Sequence, residues 1–131
     1  MRYKLKEKDL LECLKLHHPE HEFKEGRLLV GQNKRNNLEI YYLGEEDFFA
    51  VVTVDFFTFD FLEIALVEKT SIDEIYLEDG LLYRKMFVKA GDEIVKYSTS
   101  RMLLTDFQQA HYNKFIDGQK ERVIYKDGKF L

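Results

Sequence analysis

The chain contains no tryptophan, one cysteine and one proline among 131 residues. The lone Cys13 cannot form an intramolecular disulfide, so stability has to come from packing. A single proline with seven glycines excludes collagen-like and low-complexity disordered classes. Long apolar runs are also missing. The longest uncharged stretch, Phe48 to Val54, ends at Asp55, far short of the ~20 residues that a spanning helix needs. The opening MRYKLKEKDLLECLKLHH places charges every second or third residue with no apolar core, which reads against a signal peptide. These absences point to a soluble protein of a reducing compartment, the cytoplasm.

What is present is apolar mass and charge. The composition is 45% hydrophobic, 34% charged and 15% aromatic, the aromatics being 11 Phe and 8 Tyr. That suits one globular domain spanning residues 1–131. The net charge is −4, and it is unevenly spread. Residues 44–79 hold eleven acids against one basic residue, Lys69, whereas the segments on either side carry a small basic excess. An acidic middle argues against wrapping a phosphate backbone, and the aromatic strands lack the interleaved Lys and Arg of a base-stacking platform. Nucleic acid is therefore not expected as a partner.

Two segments have helical spacing. Lys6 to Leu16 places Leu10, Leu11, Cys13 and Leu14 on one side, opposite Lys8, Glu12 and Lys15, and Pro19 ends a helix over about 6–18. Thr105 followed by Gln108 fits a capping box, with Asp117-Gly118 as the stop, predicting a helix over about 106–117. Its buried face is expected to carry Phe107, Ala110 or His111, and Phe115. Strands are expected between about 22 and 98, with one more at 121–125. Leu38 to Tyr42 alternates, as do Met86 and Val88 against Lys85 and Lys89. Leu62, Ile64 and Leu66 alternate with Glu63 and Ala65. Asp79-Gly80 and Ala90-Gly91-Asp92 read as tight hairpin turns. The fold class is mainly β: an antiparallel meander or partly open barrel of six to eight strands with two flanking helices. A short barrel leaves one edge unpaired, which permits a homodimer. Phe48 to Phe61 holds six phenylalanines. It is a central strand covered on both faces, a strand that bends near Thr58 to Asp60, or an exposed binding patch.

Catalytic and metal patterns are weak. Cys13 and His17 stand four apart on a helix, near His18, Glu20 and His21, but no second ligand pair exists for a structural metal. The reading preferred is a packed Cys13, with His17 and His18 at a helix C-terminus. No Gly-x-Ser-x-Gly elbow is present. Gly26 to Gly31 has P-loop glycine spacing, with Gln32 and Asn33 where Lys and Ser or Thr are required. Neighbouring carboxylates such as Glu45-Glu46-Asp47, Asp73-Glu74 and Asp92-Glu93 point apart on a strand or into water in a turn. Asp55 and Asp60 lie among phenylalanines; burial would raise their pKa values, whereas a bend position would not.

The segment from Lys69 to Phe115 resembles bacterial members of the pleckstrin-homology-like superfamily. The resemblance rests on Ser71-Ile72-Asp73-Glu74-Ile75 and on Leu77 through Val88 with its Arg84-Lys85-Met86 strand. It continues through the Gly91-Asp92 hairpin into the helix containing Phe107 and Phe115. It implies a seven-stranded barrel plugged at its open end by that helix, and a non-catalytic ligand- or protein-binding module. Lipid-binding members use basic residues around the first hairpin, a position held here by Lys34 and Arg35.

The functional expectation is a cytosolic binding or scaffold module without enzymatic activity, cofactor or metal. It engages a protein partner through the acidic surface around residues 44–79, marked by Glu45, Glu46 and Asp47. An inhibitor or immunity-type protein covering a basic active site has the same signature. Two other readings stand beside it. One is a carrier of an apolar small molecule in a pocket lined by Phe48 to Phe61. The other is an enzyme pairing Asp60 or Asp55 with His111.

Overall fold

The computed structural model describes residues 4–131. Nine antiparallel strands form one sheet that curls into a half-barrel, with two helices. Helix α1 (Glu7–His17) comes first, followed by β1 (Leu28–Lys34), β2 (Asn37–Tyr42), β3 (Phe48–Asp55) and β4 (Phe61–Glu68). A single 3-10 turn at Lys69–Ser71 leads into β5 (Glu74–Asp79), β6 (Tyr83–Ala90) and β7 (Glu93–Ser100). Helix α2 (Gln108–Ile116), β8 (Glu121–Lys126) and β9 (Lys129–Phe130) close the chain. The spatial order is β4-β3-β2-β1-β7-β6-β5-β8-β9. No described helix is long and apolar enough to cross a membrane.

The expected mainly β class with a helix near each end is what the chain adopts. The strand region starts at Leu28 rather than near residue 22, because residues 19–27 find other partners. Phe23 is buried as a loop residue, the Lys24 N–H donates to the Tyr42 hydroxyl, and the Gly26 N–H donates to the Glu7 carboxylate. Gly26 has φ +86°, which takes the chain out of any ladder there. The extra strand β8 pairs with β5, and the short β9 folds back on it across Asp127-Gly128.

Helix α1 buries Leu10, Leu11 and Leu14, as its spacing predicts. Cys13 departs from the expected core position. It is half-buried on the flank of the stripe, 3.8 Å from His17 Nδ1. The start of α1 is capped from a distance: Asp106 accepts the Glu7 N–H at 2.9 Å, while the Leu5 N–H donates to the Leu104 carbonyl. In α2 the Thr105 hydroxyl accepts the Gln108 N–H, and Asp117 (φ 53°) and Gly118 (φ 73°) end the helix. The buried face keeps the expected Phe107 and His111 and differs in the rest. It carries Gln108, His111, Tyr112 and Ile116, with Ala110 exposed and Phe115 half-buried.

Two cores flank the β1–β3 layer. On one face, Leu28, Val30, Leu38, Ile40, Val52 and Val54 pack against the α1 leucines. On the other, Leu29, Tyr41, Phe49 and Leu43 meet Ile75, Leu77, Met86, Tyr112 and Tyr125. Each such side chain contributes about 1.5–3 kcal/mol when fully buried. Phe48 and Phe49 therefore enter opposite cores, β3 is a central strand covered on both faces, and the chain reverses through Phe56 to Asp60.

The sheet is nearly split between β1 and β7, which meet at the single pair Gln32↔Ser98. Helix α2 fills the gap and takes the place of a strand partner. Gln108 accepts the Val30 N–H and donates to the Val30 carbonyl, and His111 Nδ1 lies 2.9 Å from the Leu28 carbonyl. Thr99 adds a hydroxyl bond to Val30 at 2.7 Å.

Candidate functional site

Three connections converge at one end of the half-barrel: the β2–β3 loop, the β4–β5 link and the β8–β9 turn. They are tied by backbone bonds from the Lys69 N–H to the Asp47 carbonyl and from the Asp127 N–H to the Asp73 carbonyl, both 3.0 Å. The cleft between them has a volume of about 610 Å³ and is lined by Asp47, Glu68, Asp73 and Asp127 around Lys69, with Ile72 and Tyr125 below. All four carboxylate residues are exposed. Asp73 also accepts the Gly91 N–H at 2.7 Å, which anchors the β6–β7 turn to the same rim.

Lys69 does not neutralise this rim from the solvent side. Its ammonium lies 5.2 Å from the centre of the Phe49 ring and 5.1 Å from that of Phe130. Arg27 sits 4.7 Å from the same Phe130 ring and donates to the Leu43 carbonyl. Burial and the neighbouring Arg27 lower the Lys69 pKa, against the opposing pull of Asp47, Glu45 and Glu46. The two cations are held on an aromatic floor, and the carboxylates face outward.

Glu45, Glu46 and Asp47 all lie in the β2–β3 loop and are exposed. Glu46 bonds His21 at 3.0 Å, and the His21 ring packs 4.4 Å from the Phe48 ring, so the loop is braced from one side. The pair Lys34 and Arg35 stands at the other end of β2, Lys34 closing β1 and Arg35 in the turn that follows. It lines a separate cleft of about 500 Å³ where β1 leaves β7, with Gln32, Phe56, Tyr83, Ser98 and Met102. The two groups of candidate residues do not share a site. Phe56 is the one phenylalanine of the 48–61 segment on that second cleft.

The acid–base pairing considered from sequence is not assembled. Asp55 accepts the N–H groups of Phe57 and Thr58 at 2.8 Å each, and these bonds hold its carboxyl below the ordinary range. His111 is buried near the opposite end of β1, with Nε2 3.2 Å from the Glu7 carboxylate. Around the first helix, His18 and His21 both lie beside Glu20. Among the described residues, no group of three or more His, Cys, Asp or Glu side chains could hold a metal ion.

Glu68 and Asp73 fall within the acidic 44–79 stretch read from sequence, but their convergence with Asp127 on one cleft was not apparent. Each reads locally as a solvated strand end or turn, and only the pairing of β5 with β8 carries Asp127 to Asp73. No family model, curated protein or solved structure matches the chain.

Proposed function

We propose that the protein is a non-catalytic binding module that engages a protein partner through its acidic end. The observation carrying this reading is the convergence of Asp47, Glu68, Asp73 and Asp127 from three loops on one cleft, with Glu45 and Glu46 on its shoulder. A cleft of this kind offers carboxylate acceptors to lysine or arginine side chains of a partner. The bidentate geometry of an arginine suits adjacent carboxylates best. Charge of one sign on a braced rim raises the association rate and rejects acidic competitors. An inhibitor covering a basic active site would use the same chemistry, and it falls within this reading.

The test is capture of the tagged protein's partner from its host, followed by binding kinetics of that pair. The triple variant Glu45→Lys, Asp47→Lys, Glu68→Lys reverses exposed side chains and leaves the backbone bonds of the loop in place. The expected result is an association rate lower by about tenfold or more, with the salt dependence of the wild type removed. A captured partner that binds wild type and variant alike, with no effect of salt on either, would overturn the proposal.

A further inference from the structure

Strand β4 is the long free edge of the sheet. Among the described residues it pairs with β3 alone, while the opposite edge is the two-residue β9. Natural edge strands are usually blunted by proline, lysine, a strong bulge or a covering segment. The sequence Phe61-Leu62-Glu63-Ile64-Ala65-Leu66-Val67-Glu68 contains no lysine or proline, and its one irregularity lies near its start, opposite Thr53 and Val54. Leu62 is 55% exposed and Leu66 38%.

The hydrogen-bond alternation says which groups are free. The Lys69 N–H donates to the Asp47 carbonyl, and the register pairs Phe48 with Glu68 and Ala50 with Leu66. Val67 and Ala65 therefore bond inward to β3, and the N–H and C=O groups of Ile64, Leu66 and Glu68 point away from the sheet. We propose that β4 is a homodimer interface, in which two copies pair their β4 strands antiparallel about a two-fold axis at Ala65.

A second copy fits this edge because the strand is complementary to itself in that register. Ile64 meets Leu66 of the partner subunit twice, exchanging the outward backbone bonds. Glu63 faces the partner's Val67, and Glu68 faces the partner's Leu62. No carboxylate meets another. A shift of two residues one way sets the axis at Ile64. A further step in the same direction puts Glu63 opposite its own copy. Like charges directly opposite are destabilising in a sheet. Ala65, small and exposed, sits at the close non-hydrogen-bonded position on the axis, where a larger residue would crowd. On the α1 face, the groove between Leu62, Ile64 and the His17 end of α1 accepts the partner's leucines.

The interface is small, so the dimer forms reversibly as concentration rises. Sedimentation velocity across a concentration series of the full chain is the first measurement, expected to give a monomer–dimer equilibrium. Leu66→Lys replaces an exposed residue, should keep the wild-type circular dichroism, and is expected to weaken dimerisation by about tenfold or more. In a Cys13→Ser background, Ala65→Cys is expected to give a disulfide-linked dimer on mild oxidation, because the paired Cα atoms lie within disulfide reach. Glu63→Cys in the same background is not. A wild type that stays monomeric throughout, a dimer indifferent to Leu66→Lys, or crosslinking at residue 63 in place of residue 65 would each overturn the proposal.

Discussion

Gly31 shows how much one missing methyl can decide. Its position on β1 is crossed by Tyr97 from β7, and a Cβ there would stand 2.6 Å from the Tyr97 Cβ. The close approach lets Tyr41 donate to Tyr97, which in turn donates to Glu39, at 2.7 and 2.6 Å. This chain of oxygens spans the place where the sheet has only one ladder pair, so it ties β2 to β7 across the split. Burial, the Glu39 carboxylate and Tyr41 together push the Tyr97 hydroxyl pKa far up. Gly31→Ala must displace the root of Tyr97 rather than a flexible tip. It is expected to cost about 1–3 kcal/mol, the usual range for overpacking, and to break the Tyr41–Tyr97 bond. Urea unfolding of the variant checks this. A midpoint equal to wild type would mean that the strands separate at no cost. In sequence, Gly31 reads as part of a failed P-loop spacing, and nothing local to it signals the ring that lies across it.

At the scale of elements, α2 acts as a substitute strand. The Val30 N–H and C=O would be orphaned by the split between β1 and β7, and Gln108 satisfies both with its side-chain amide. Gln108→Leu keeps the helix propensity and the volume but removes both partners. The Val30 N–H is then buried without an acceptor, at a cost of about 1–3 kcal/mol, while its carbonyl keeps Thr99. Amide hydrogen exchange at Val30, faster in the variant than in the wild type, is the specific readout. The ends of this helix were legible, because Thr105 and Asp117-Gly118 are local signals. Its buried face was legible at Phe107 and His111 but not at Gln108, which is buried for the sake of a strand far away in sequence. The same division holds for β4. Alternation marks Leu62, Ile64 and Leu66 as a strand, but a pattern cannot reveal that no neighbour covers it. In the acidic cleft, Glu45 to Asp47 stand out as a charged loop, whereas Asp73 and Asp127 join them only through strand register.

For the whole molecule, the tyrosines link packing to pH. Burial is the leading cause of raised hydroxyl pKa values at Tyr41, Tyr42, Tyr97, Tyr112 and Tyr125. At Tyr76 the leading cause is the bond to Glu121, 2.7 Å away. These residues sit on β2, β5, β7, α2 and β8. A tyrosine in an unfolded chain loses its proton near pH ~10. Because the folded values are higher, the native state holds more protons than the unfolded state above that pH. Stability then falls as pH rises, having been fully present below it. Phenol ionisation should therefore be coupled to unfolding. Phenolate absorbance, followed together with far-ultraviolet circular dichroism, is expected to rise at higher pH than in the unfolded chain and together with loss of the β signal. Tyr97→Phe removes one linked proton and should make that rise less steep. Gradual ionisation of most tyrosines near pH ~10 with the β signal intact would mean that the two cores admit water, and the packing that braces the acidic end would not be as described.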